Sequence, residues 1–156
     1  MYEAERELGP VMEALATIDM VLARFFEIHS DIFVTMFGWA WLARLLKIRP
    51  KPDFQRHAQE LTTLERQGRL ALRLLESEIE RGTARDGYRT MSADLRVASA
   101  RNQIDAVRAL ERLVQAEARG AYSPTLLRHY NEARQRAYQS AVTFEQDAQR
   151  RRQRPR

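Results

Sequence analysis

The chain has 156 residues, 44% of them hydrophobic and 30% charged, and no cysteine. That is the length of one domain with a modest core, and it excludes a disulfide framework, a thiolate nucleophile and Cys-ligated zinc. The net charge of +5 resides in Arg150, Arg151, Arg152, Arg154 and Arg156, so it describes a basic tail more than a basic face.

With only 6 glycines and 5 prolines, long disorder and a turn-rich β sandwich are both disfavoured. No charge-free apolar window approaches about 20 residues, so a membrane-spanning helix is not expected. The opening MYEAERELGP is acidic and leads into no apolar run, so no signal peptide is expected either.

Residues 1–9 read as a lead-in. A first helix is predicted over about 10–48, close to 58 Å long at about 1.5 Å per residue. Its apolar stripe is Val11, Leu15, Ile18, Leu22, Phe25, Ile32, Met36, Trp39, Ala43 and Leu46, broken by His29. Pro10 suits the first turn, where its missing N–H costs nothing, and Pro50 ends the helix. A second helix follows Asp53 as N-cap and runs over about 54–81. Its stripe is Phe54, Ala58, Leu61, Leu64, Gly68, Leu72, Leu75 and Ile79, and Gly82 is placed as its C-terminal stop. A third is expected over about 92–119, capped by Ser92 and ended by Gly120, with Leu95, Ala98, Ile104, Val107, Leu110 and Val114 inside. The fourth, over about 124–149, has Ser123 as cap and Pro124 at the first helical position. It shows Leu127, Tyr130, Ala133, Ala137, Ala141, Phe144 and Ala148 on one side. No segment alternates with period two for long enough to form a strand.

The fold class expected is therefore all-α: an elongated antiparallel four-helix bundle with a long first helix, one domain over 10–149. Residues 150–156 form the basic tail. It suits a solvated end, an anionic lipid or protein surface, or nucleic acid.

One segment exceeds what a bundle helix needs. Phe25, Phe26, Phe33, Phe37, Trp39 and Trp41 crowd into 17 residues, and the run from Ile32 to Ala43 carries no charge. A helix on the surface of a small bundle needs only an apolar stripe. The excess points to a thick local core, a protein contact or a membrane interface, with Phe26, Phe33, Phe37, Trp39 and Trp41 as the contact residues.

His29, His57 and His129 sit on three different predicted helices, and no paired Glu-x-x-His motif occurs. His29 reads as a hydrogen-bonded core or interface histidine. Glu76, Glu78 and Glu80 lie among arginines and read as solvated pairs, as does Glu65–Arg69. Asp19 reads as a buried polar group, or as the partner of Arg24 or of an arginine on another helix. No phosphate loop, dinucleotide fingerprint, zinc-protease motif or nucleophile elbow is present. No enzyme activity, cofactor, metal or small-molecule substrate is expected.

The stretch VMEALATIDMVLARFFEIHSDIFVTMFGWA at 11–40 resembles the opening helix of the LemA family. That family's pattern runs V-x-E-A-x-x-x-I-D-x-x-L-x-R, then an acidic-aliphatic pair, Asn-Leu and T-x-x-G-Y-A. It is matched by Val11, Glu13, Ala14, Ile18, Asp19, Leu22, Arg24, Glu27, Ile28, Asp31, Ile32, Thr35, Gly38, Trp39 and Ala40. AYQSAV at 137–142 is similar to a segment of the family's last helix. The resemblance implies an elongated helical bundle, a membrane-associated setting and no catalytic activity. Family members usually carry a transmembrane helix before this motif, which ten residues cannot supply. Val21, Phe26 and Phe37 also stand where the family has polar residues, which implies a greasy outer face.

The expected function is thus a non-enzymatic LemA-like structural or interaction subunit of a membrane-associated or multi-subunit assembly. It would be held by a protein partner, by self-assembly or by peripheral lipid contact. The alternative is a nucleic-acid-binding or filament-forming helical protein using Arg101, Arg108, Arg112, Arg119 and the tail. Asp105, Glu111 and Glu117 on the same helix make that stripe mixed rather than basic.

Overall fold

A computed structural model describes the backbone of residues 2–36, 53–87 and 90–154, and side chains in the first of these ranges over 9–33. The described residues form four helices and no strand: α1 (Tyr2–Met36), α2 (Phe54–Asp86), α3 (Met91–Ala118) and α4 (Pro124–Gln153). At about 1.5 Å per residue, each helix is roughly 40–50 Å long. Consecutive helices pack side by side in the order α1, α2, α3, α4, and α1 also touches α3. No Cα of α1 comes within 8 Å of one in α4, so the ring is left open on that side.

Local chemistry sets most of the boundaries. The Asp53 carboxylate accepts the Arg56 N–H at 3.1 Å and the Ser123 hydroxyl accepts the Leu126 N–H at 3.2 Å. Each satisfies a backbone donor that the first helical turn leaves unpaired. Gly120, at φ 71°, closes α3, with the Ala121 N–H donating to the Ala116 carbonyl at 2.9 Å.

Four boundaries differ from the sequence reading. Helix α1 begins at Tyr2, so the lead-in is helical and Pro10 lies inside the helix. The missing N–H leaves the Arg6 carbonyl without its helical partner, a loss moderated because Gly9 and Pro10 are exposed to water. Helix α2 runs through Gly82 to Asp86. The left-handed residue is Gly87, at φ 78°, whose N–H donates to the Thr83 carbonyl at 2.8 Å. A glycine without positive φ only weakens a helix, by about 1 kcal/mol, and does not stop it. Thr90, not Ser92, caps α3, its hydroxyl accepting the Ala93 N–H at 3.2 Å. Helix α4 continues to Gln153, which places Arg150, Arg151 and Arg152 in its last turn, where cations complement the helix dipole. The expected continuation of the first helix over 37–48 lies outside the described residues.

The core follows the apolar periodicity closely in α2, where Phe54, Ala58, Leu61, Leu64, Gly68, Leu72 and Leu75 are all buried. In α1, Ala14, Ile18, Val21, Leu22, Phe25, Ile28 and Ile32 point inward. The burial of Val21 corrects its assignment to an outer greasy face. Its Cγ1 lies beside Gly68, whose missing side chain lets α1 and Ile104 of α3 close over α2. Helix α3 packs against both α2 and α4 and buries a broad band that includes Val97, Ser99 and Ala100, while Ala98 faces outward.

Ion pairs tie the helices together at their edges. Arg24 of α1 forks onto the Glu60 carboxylate of α2, with Nη2 at 2.9 Å, and reaches Glu27 at 2.6 Å. These hydrogen bonds hold the Glu60 carboxyl below its usual range. Arg69 joins α2 to Asp105 of α3 at 2.9 Å and also contacts Glu65 at 3.2 Å. Arg101 engages Glu76, so that arginine of the expected nucleic-acid stripe is spent within the bundle. Asp19 is exposed and lies 3.7 Å from Arg96 of α3, which makes it a loose interhelix partner and not a buried polar group.

Candidate functional site

The open side of the bundle, between α1 and α4, holds the aromatic residues. Tyr130 points inward from α4 and is completely buried, and its hydroxyl lies 2.7 Å from Nδ1 of His29 on α1. The His29 ring stacks on Phe33 at 4.6 Å, and Phe33 lies nearly parallel to Tyr130 at 5.5 Å. Phe25 meets Tyr130 edge-on at 6.5 Å. Offset stacking and edge contacts suit the ring quadrupoles and add to the area buried. The cluster joins two helices whose backbones stand apart, so large side chains bridge a gap that smaller ones elsewhere close by backbone approach.

The electrostatics keep the pair neutral. Burial, with the Arg134 charge adding to it, pushes the His29 imidazole down to about 4. Burial likewise pushes the Tyr130 phenol upward, slightly opposed by Arg134. Near neutral pH the pair is therefore an uncharged imidazole and an uncharged phenol sharing one hydrogen bond. The Arg134 guanidinium sits 5.7 Å from the centre of the Tyr130 ring, a cation–π arrangement.

Beside this cluster runs a groove of about 420 Å³. Leu22, Phe25 and Phe26 of α1 form one wall, and Arg134, Ala137, Tyr138 and Ala141 of α4 form the other. Gln103 and Ala106 of α3 make the floor. Phe26 and Tyr138 stand on the rims at 59% and 71% exposure. The outward face of α1 continues the apolar surface: Met12, Ala16, Met20, Ala23 and Phe26 are all exposed, at helical spacing.

Of the five contact residues read from sequence, Phe26 lies on the groove rim, and Phe33 is half-buried in the stack with His29 and Tyr130. Phe37, Trp39 and Trp41 lie outside the described residues. In the tail, Arg150, Arg151 and Arg152 are exposed and helical, and Arg151 pairs with Asp147 at 2.9 Å. Arg154 follows the helix end, and Arg156 lies outside the described residues. His57 Nε2 contacts Asp31 at 2.6 Å, and His129 is exposed. Among the described residues, no three His, Asp or Glu side chains are placed to hold a metal ion, and no helix is long and apolar enough to cross a membrane.

Sequence reasoning did not single out Arg134 or Gln103, and it met Tyr138 only within the AYQSAV resemblance at 137–142. Arg134 and Tyr138 are four residues apart, one helical turn, which puts them on a shared side of α4. Only the apposition of α1 made that side a groove wall. Comparison with protein-family models, with curated proteins and with solved structures found no match.

Proposed function

We propose that this protein is a non-enzymatic, LemA-like helical interaction subunit of a membrane-associated or multi-subunit assembly, with α1 as its contact surface. The observation that carries the reading is the outward face of α1. Met12, Met20 and Phe26 stand 62%, 57% and 59% exposed along one line of a helix whose opposite side is already buried in the core. A lone domain gains nothing from such a row, whereas covering it on a partner removes apolar surface from water at about 25 cal/mol per Å². Methionine and phenylalanine are favoured in such contacts because they adapt their shape or offer a large flat area. The resemblance of residues 11–40 to the LemA opening helix adds support for a membrane setting. The arginines in the last turn of α4 would strengthen contact with an anionic surface, by about 1 kcal/mol each when close to it.

The test is light scattering of the full chain together with co-sedimentation on vesicles, neutral and anionic. Self-association or vesicle binding is expected, and Met20→Lys should weaken it without loss of helicity. A monodisperse monomer that leaves both kinds of vesicle untouched would overturn the reading.

A further inference from the structure

The groove between α1 and α4 has features that a general contact surface does not need. Its volume of about 420 Å³ lies within the range of small-molecule sites. Its walls are apolar through Phe25, Phe26, Ala137 and Tyr138, yet one charged side chain, Arg134, lines it and no acidic residue does. Among the described residues Arg134 has no ion-pair partner, and its guanidinium lies over the Tyr130 ring at 5.7 Å. Its charge acts on both His29 and Tyr130, which lie beside the groove. Gln103 of α3 lies on the groove floor.

We propose that this groove binds a single-chain amphiphilic carboxylate of the fatty-acid type. Its alkyl chain would lie between Phe25, Phe26 and Tyr138, and its carboxylate would meet the Arg134 guanidinium. A planar, doubly donating guanidinium suits a carboxylate better than any other common anion-binding side chain. The groove segment of α4 from Arg134 to Ala141 spans about 10 Å along the helix, the scale of one medium-length alkyl chain. The ligand is a passenger and not a reactant, because no group in the groove is poised for chemistry. This inference is separate from the contact role of α1: Met12 and Met20 lie outside the groove, and only Phe26 belongs to both.

The experiment is isothermal titration of the full chain with dodecanoate below its micelle concentration, with dodecyltrimethylammonium as the chain-matched cation. One saturable site for dodecanoate is expected, at least about tenfold tighter than the cation. Arg134→Gln should weaken dodecanoate about tenfold or more, Arg134→Lys should retain much of the affinity, and Ala141→Phe should block the groove. Arg134 is exposed, so its variants preserve the fold, which circular dichroism checks. Met20→Lys should leave dodecanoate binding unchanged even where it abolishes self-association or vesicle binding, which keeps the two proposals separable. Equal binding of anion and cation, indifference to Arg134→Gln, or binding only to vesicles of a two-chain anionic phospholipid would each overturn the proposal.

Discussion

The neutral His29–Tyr130 pair makes stability depend on pH in a defined window. In the unfolded chain an imidazole takes its proton near 6.5, whereas in the fold His29 is pushed down to about 4, first by burial and then by Arg134. Between these values the unfolded state binds the extra proton, so acidification favours unfolding. The contribution is fully present above pH 6.5, is lost as pH falls through the window, and is flat below about 4. The difference between the two values sets a ceiling of about 3 kcal/mol. Because water reaches part of the ring, we expect about 1–2 kcal/mol. The perturbation is His29→Gln, whose amide can still reach the Tyr130 hydroxyl but does not titrate. Urea unfolding of both proteins from pH 8 to pH 4, at fixed ionic strength, gives two stability curves. Their separation removes background titrations, such as that of Glu111. Burial pushes that carboxyl upward, so its contribution has the opposite sign and is lost as pH rises. The wild type should lose about 1–2 kcal/mol relative to His29→Gln on going from pH 7 to pH 4. Parallel curves, or a relative gain for the wild type in acid, would refute the neutral buried pair.

Three further outcomes test the packing. A Cβ on Gly68 would meet Ile104 Cγ1 at 3.2 Å, so Gly68→Leu should cost about 1–3 kcal/mol in thermal unfolding, while Gly68→Ala should stay near neutral because helix propensity offsets the crowding. Gly87→Ala should cost about 1 kcal/mol, since an L-residue at φ 78° meets its own carbonyl, and circular dichroism should show an earlier melt. Glu60→Gln should cost about 0.5–1 kcal/mol at pH 7. Because Arg24 depresses the Glu60 carboxyl, the gap to wild type should close as pH falls below about 4.5, and it should shrink in high salt, both measured by urea unfolding.

The amino-acid sequence by itself determined where the helices form and what most of them bury. The α2 stripe from Phe54 to Leu75 is buried as its period predicts, and Asp53, Ser123 and Gly120 act where their side chains or backbone freedom place them. These signals act through hydrogen bonds and torsions a few residues long, so no distant partner is needed to read them. The rest depended on which helices became neighbours. Val21 and Phe26 both read as apolar residues on an unexpected face, yet α2 and α3 covered the first and, among the described residues, the second stands 59% exposed. Gly82 read as a stop, but the turn is set at Gly87, where the chain must reverse toward α3. Phe26 and Phe33 were legible as candidates from local crowding alone. Their counterparts Tyr130, Arg134 and Tyr138 lie about 100 residues away, and no short-range pattern records that α1 and α4 face each other across an unclosed gap. Periodicity assigns a residue to a side of its helix, and only the packing of that helix against others decides whether the side becomes core, groove or open surface.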